Sequence, residues 1–324
     1  MCTAIALNKK DFYFGRNLDL DLSYGEGVVI TPRGYAFDFK HIDSIKEHEA
    51  IIGMGIIVDG YPLYFDGVNE SGVAMAGLNF PMSYHSFDYD KSKVNIASFE
   101  FIPYILSRAE SLTDVKKLLE NLSITNDNFS EKLPASPLHW MIADKTGSIV
   151  VESTIKGLNI YENPVGVLTN EPEFPFHMFN LNNYQNVKAK DPENNFIKNL
   201  NMPIYCKGLG GIGLPGDMSS MSRFIKAAFT KANSIEDDGE KESVNQFMHI
   251  LDSVFQVKGC IHSGDNGYEI TVYSSAMNTD KGIYYYKTYK NSRINSVNLH
   301  NERLDKAELI FYPLRDEEDI YAQN

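Results

Sequence analysis

Up to about residue 95 the apolar residues of this chain recur at every second position, and that alternation is the strongest constraint on its fold. "CTAIAL" and "FYFGRNLDL" flank the polar break "NKKD". "EGVVITP", "YAFDF", "AIIGMGIIV", "PLYFDGVN" and "VAMAGLNF" follow, parted by Pro, Gly, Asn-Glu-Ser-Gly and Asp-Gly. Half-buried strands joined by tight turns read this way, so the first third forms an antiparallel sheet region. In "SFEFIPYILSRAESLTDVKKLLENL" the period becomes helical: Pro103 suits a first turn, Ser111 or Thr113 can cap a second helix, and Val115, Leu118, Leu119 and Leu122 share a face. Strands return in "LHWMIADKTGSIVVES", turning at Asp-Lys-Thr-Gly, and in "LNIYENPVGVLTN". Helices follow in "SSMSRFIKAAFTKAN", capped by Ser219, Ser220 or Ser222, and in "ESVNQFMHILDSVFQ"; "YEITVYSSAMNTDKGIYYYKTY", "INSVNL" and "ELIFYP" close the chain as strands. This order predicts an α+β fold of largely antiparallel sheets with helices on their outer faces. No repeat, low-complexity run or linker marks a boundary, so residues 1–324 are expected to be a single domain.

The charge balance narrows the partners. Asp and Glu outnumber Lys and Arg by 43 to 30, a formal charge of -13, and no basic stripe interrupts it, so nucleic acid would be repelled. No run approaches the roughly 20 apolar residues of a bilayer span, and the first residues lack a signal-peptide pattern, so no membrane role is expected. Cys2, Cys206 and Cys260 are odd in number and irregularly spaced, which fits neither a disulfide framework nor zinc and suits a reducing cytoplasm. "EDDGEKE" (236–242) and "RDEEDIY" near the end read as solvated loop and tail. The eight histidines show no ligand spacing, His139 beside Trp140 reads as a packed residue, and no Gly-x-Ser-x-Gly elbow occurs. Gly208, Gly210 and Gly213 spell G-x-G-x-x-G but lead into Leu-Pro-Gly-Asp instead of a helix, which suits a pocket-rim loop rather than a dinucleotide site. Neither a metal nor a cofactor is expected.

The cysteine behind Met1 is the candidate for chemistry. A two-residue loop at Lys9-Lys10 pairs Asn8 with Asp11 and carries Cys2 to Asn17, within two residues, so that Arg16 and Asp19 bracket it. A guanidinium beside a thiol favours the thiolate, and a carboxylate can orient an amine. Removal of Met1, which a small second residue permits, would leave Cys2 an α-amine titrating near about 7.7 to 8.0. One residue would then supply nucleophile and base. A small buried hydrophobe in an edge strand is the other reading of Cys2, and from the residues alone both stand.

The stretches "MCTAIAL", "FGRNLDL", "YGEGVVITPRGY", "YPLYFDGVNESGVAMAGLNFP", "LHWMIAD", "SIVVES", "NPVGVLTNEPEF", "GGIGLPGDMSSMSRF" and "KGIYYYKTY" resemble, in order from Met1 to about residue 315, the choloylglycine hydrolase family, and within it the bile salt hydrolases of Gram-positive gut bacteria. The resemblance implies an N-terminal nucleophile hydrolase with a four-layer αββα sandwich. It implies Cys2 as nucleophile, Arg16 and Asp19 beside it, Asn79 and Asn170 as oxyanion-hole and ordering residues, and Arg223 near the nucleophile. Taken singly, Asn79 and Asn170 would be turn residues, Arg223 a helix-start surface residue, and Arg16 with Asp19 a surface pair. The substrates implied are glycine- or taurine-conjugated bile salts, hydrolysed without a cofactor by a cytoplasmic homotetramer. Nineteen Phe, 19 Tyr and 11 Met could line a pocket for a steroid, though core packing uses them equally well. Penicillin V acylases of the family share the nucleophile, and many Gram-positive members carry tyrosine at the position of Asn79, so Asn79 favours bile salts. An acylase for penicillin V or acyl-homoserine lactones is the enzymatic alternative, and a non-catalytic binder of amphipathic lipids the other. In "YCKGLGGIG" the family's segment for sensing the amino-acid half of the conjugate carries Lys207, whose ammonium could attract a carboxylate or sulfonate.

Overall fold

The alternation of the first third resolves into strands of two sheets. The computed structural model describes residues 1–235, 239–264 and 267–324. Among these, a six-stranded sheet runs in the order Val167–Leu168, Cys2–Asn8, Phe12–Leu20, Ile270–Asn278, Ile283–Thr288, Asn291–Asn298. An eight-stranded sheet runs Gly157–Glu162, Gly147–Thr154, Leu138–Asp144, Ala74–Asn79, Tyr61–Asn69, Ile51–Val58, Gly27–Thr31, Ile310–Pro313. Neighbours within both sheets are antiparallel. A small separate pair, Val94–Ala97 with Leu122–Thr125, is parallel.

Both faces of each sheet are covered. Ala4, Ile5 and Phe14 of the first sheet share a core with Ile52, Val68 and Met141 of the second, and with Phe224 and Phe247 from the helices Ser220–Asn233 and Glu240–Asp252. Behind the second sheet, Trp140, Ile142 and Val151 pack with Phe101, Ile105 and Val115 of the helices Phe101–Leu106 and Leu112–Leu119. The layers are therefore helix, sheet, sheet, helix: the αββα sandwich. Two caps sit where the hydroxyls allow them, Ser111 accepting from the Asp114 amide and Ser219 from the Ser222 amide.

Several expectations need correction. "YAFDF" is not a strand: Phe37 makes one isolated bridge to Ile45, and its ring is buried among Tyr35, Phe39 and His48, so aromatic packing fixes it instead of a ladder. Of the acidic loop, Glu236, Asp237 and Asp238 lie outside the described residues. Glu240 and Glu242 belong to the first turn of a helix, where negative charge is favoured, and Glu240 meets Lys281 at 2.9 Å. The first hairpin turns through three residues, Lys9 to Asp11, so Cys2 lies opposite Leu18.

Candidate active site

The extra loop residue decides which partner shares a face with Cys2. Side chains alternate along a strand, so a slip of one residue exchanges the two faces. With Cys2 opposite Leu18 and Ala4 opposite Arg16, the register sets Cys2 and Arg16 on the face towards the second sheet, and Thr3 and Asp19 on the face towards the helices. Gly15 lets the next strand close in, since a Cβ there would collide with the Ser275 carbonyl.

Arg16 crosses the sandwich. Its Nη1 donates to the carbonyls of Phe65 at 3.1 Å and Gly77 at 2.6 Å, both on the eight-stranded sheet. Its Nη2 is buried without a hydrogen-bond partner. Burial works against the charge, but Cys2, Tyr273, Asp66 and Asp19 outweigh it and hold the guanidinium above its ordinary pKa.

On the helix side Asn170 is the hub. Its Oδ1 accepts from the Cys2 amide at 2.8 Å and from Arg223 Nη2 at 2.7 Å, and its Nδ2 donates to the Asn79 carbonyl at 2.8 Å. Ser220 Oγ and His177 Nε2 hold its backbone from either side. Arg223, fully buried at the start of its helix, also donates to the Cys2 carbonyl, to Thr3 Oγ1 at 2.7 Å and to the Met218 carbonyl at 3.0 Å. Its Nη1 stands 3.9 Å from Asp19 Oδ2.

Burial dominates the electrostatics here. It raises the Asp19 carboxyl to about 6, against the pull of Arg223 and a 2.7 Å hydrogen bond from Thr271. It lowers Arg223, against Asp19 and Cys2. It also pushes His177 down to about 4, so that ring is neutral near pH 7.

Arg16, Asp19, Asn170 and Arg223 thus stand about Cys2, which is only 2 % exposed. Asn79, exposed at the end of its strand, touches the group through its carbonyl, while its side-chain amide makes no hydrogen bond among the described residues. Lys207 stands apart: its side chain is 96 % exposed and its ammonium meets Asp191 at 3.3 Å. His139 is the packed residue expected, stacked on Phe80 and bonded to Glu152 and the Thr169 carbonyl. Among the described residues, no group of three or more His, Cys, Asp or Glu could hold a metal ion. No helix there is long and apolar enough to cross a membrane.

Sequence reasoning missed Thr3, Thr271 and His177, and also Asp66, which is fully buried beneath Tyr273 and Tyr284. The available signal was a carboxylate inside the otherwise apolar strand pattern "YPLYFDGVN".

Residues 2–312 match the family model described as linear amide C–N hydrolases, choloylglycine hydrolase family. The chain belongs to that family. It is accordingly a hydrolase of linear amides, with its cysteine at the position of an N-terminal nucleophile. A bile salt hydrolase/transferase of Lactiplantibacillus plantarum is 52 % identical over 324 residues, all of both chains. One of Clostridium perfringens is 39 % identical over 96 % of each. The crystal structure of the C2A mutant of a conjugated bile acid hydrolase from Clostridium perfringens superposes with TM-score 0.94 at 37 % identity, covering both chains fully. A penicillin V acylase from Agrobacterium tumefaciens, 14 % identical over 99 % of each chain with TM-score 0.75, shares the fold.

Proposed function

We propose that this chain cleaves the amide bond of glycine- or taurine-conjugated bile salts, with Cys2 as nucleophile. The carrying observation is the 52 % identity over the full length of a bile salt hydrolase. The geometry around Cys2 supplies a chemical route. Once Met1 is removed, the Cys2 nitrogen becomes an α-amine already placed 2.8 Å from Asn170 Oδ1. The cations Arg16 and Arg223 disfavour a further positive charge beside them, so the amine stands as the neutral base next to the thiol.

The thiol proton passes to the amine as sulfur bonds to the substrate carbonyl carbon. The oxyanion that forms is met by the Asn79 amide, which has no protein partner to give up, and by the second Nδ2 proton of Asn170. Each pre-aimed donor of this kind is worth about 2.7 to 4 kcal/mol. The ammonium then protonates the departing nitrogen, the C–N bond breaks, and glycine or taurine leaves. Water attacks the thioester, gives its proton to the same amine, and the bile acid departs as Cys2 is restored.

Intact mass before and after incubation with glycocholate, with glycine assayed in the same sample, tests the reading. A mass lacking Met1 with glycine released is the expected result. A free Cys2 with no glycine turns the reading towards the penicillin V or acyl-homoserine lactone acylase, or towards the lipid binder.

Lys207 enters as a rim charge that would leave Asp191 for the conjugate's anionic end. Lys207→Ala is expected to change the taurine-to-glycine ratio of kcat/KM by a few-fold, as suits one exposed ion pair of about 0 to 1 kcal/mol. An unchanged ratio removes Lys207 from the site.

The homotetramer belongs to the same reading. Phe176, Phe179, Phe196, Met202 and Tyr205 are exposed along one stretch of chain, the kind of apolar surface that further copies cover. Free Cys206 and Cys260 on the surface suit a reducing cytoplasm.

A further inference from the structure

Asp66 is a fully buried carboxylate with no place in the steps above. It lies on Tyr61–Asn69, in the sheet facing Cys2, and its neighbour Phe65 supplies one of the two carbonyls that hold Arg16. Two tyrosines reach it from the opposite sheet: Tyr273 donates to Oδ2 and Tyr284 to Oδ1, each at 2.7 Å, while the Met54 amide donates to Oδ1 at 3.3 Å. Both carboxylate oxygens thus accept from neutral donors, an arrangement that holds charge in a dry interior. The buried cation near it is Arg16, which donates to the carbonyl of the adjoining Phe65 and to that of Gly77, both neutral acceptors, and feels the Asp66 charge.

We propose that Asp66, fixed by Tyr273 and Tyr284, is a positioning residue that acts through Arg16: it divides the field of that guanidinium with Cys2 and keeps the group at its station across the sandwich. The inference rests on the reading of Cys2 as nucleophile. A buried guanidinium with one acidic neighbour would concentrate its attraction there. With Asp66 also within its reach, Arg16 divides its attraction between that carboxylate and Cys2. The remaining charges about Cys2 lie on other elements: Asp19 across the strand, Arg223 on the Ser220–Asn233 helix, and Glu269, which meets the chain's first nitrogen at 3.0 Å. None of these forms a hydrogen bond with Asp66. His177, which reaches Asn170 on the helix side, is neutral near pH 7. Burial raises the Asp66 carboxyl, while Arg16 and the two tyrosines pull it back.

The test uses purified full-length chain and needs no substrate. The rate of iodoacetamide labelling at Cys2, read from the mass of its peptide, is followed against pH in wild type and Asp66→Asn. Removing the carboxylate leaves the whole field of Arg16 on Cys2, so the half-maximal pH should fall, by about one unit for a charge at this range. The kcat/KM profile for glycocholate should move in the same direction. Profiles that superimpose while only thermal stability falls would make Asp66 structural and overturn the proposal. Should Asp66→Asn fail to fold, Tyr273→Phe takes its place. It strips one donor and so favours the neutral carboxyl, and it must displace the labelling curve the same way by a smaller amount; an unmoved curve overturns the proposal equally. A shifted labelling curve in a chain that releases no glycine would leave the inference standing and remove the substrate reading instead.

Discussion

Cys2→Ala will reduce kcat/KM for glycocholate by about 10⁵ to 10⁶, the scale on which removal of a nucleophile that works as a unit with its base is felt. Alanine is small enough for Met1 removal to proceed, so the α-amine, Asn170 and Arg223 all remain, and only the sulfur is lost. The fold should barely respond. Cys2 carries one heavy atom beyond alanine in a core of 2 % exposure, which limits the cost to about 1 to 2 kcal/mol. Turnover and stability therefore separate, and thermal unfolding followed beside glycine release measures both. Trapping sharpens the result: wild type quenched during turnover should carry the added mass of a bile acyl group on its first peptide, and Cys2→Ala none. Cys206→Ser with Cys260→Ser should keep full activity, because both thiols are exposed and neither adjoins the Asn170 hub. Residual activity in Cys2→Ala within a hundredfold of wild type would remove Cys2 from the chemistry.

The strands and helices were legible because each is a local pattern. The Leu138–Asp144 and Gly147–Thr154 hairpin turns at Asp-Lys-Thr-Gly as its residues demand, and the Ser219 cap lies at the break in period. The layer order came from family resemblance, since no periodicity states which sheet faces which. Two kinds of information were out of reach. A hairpin loop of two or three residues differs by a single polar side chain, Asp11, yet that difference decides whether Arg16 or Asp19 shares the face of Cys2. Contacts across the sandwich join residues about two hundred apart, as with Asp66 and its two tyrosines, and nothing local in "YFDGVN" or "GIYYYKTY" announces them. Asn170 was named for its likeness to a family position, but that it collects the Cys2 amide and Arg223 on one oxygen is a fact of three dimensions.

Asp19→Asn should make the protein more stable at pH 7 and much less active. The folded carboxyl titrates at about 6 against an ordinary 3.8, so between those values the folded state binds a proton that the unfolded chain has released. The stability this contributes is complete below the unfolded value and is lost as pH rises through about 6. A gap of about two pH units is worth on the order of 3 kcal/mol. Asparagine cannot ionise and escapes that loss, so the variant should exceed wild type by about 2 to 3 kcal/mol in denaturant unfolding at pH 7.5, with the two curves converging near pH 4. The opposing effect is the loss of a partner for Arg223, but that guanidinium keeps the Cys2 and Met218 carbonyls, Thr3 Oγ1 and Asn170 Oδ1. Thr271 can still donate to an asparagine oxygen. A variant less stable than wild type at pH 7.5 would mean that attraction to Arg223 outweighs desolvation, contrary to the shifts of both partners towards their neutral forms. If stability rises while kcat/KM falls at least a hundredfold, the ionised Asp19 is a charge the fold retains at its own expense. Its use is then to orient the newly freed amine beside Cys2, a service a neutral amide of the same shape cannot give.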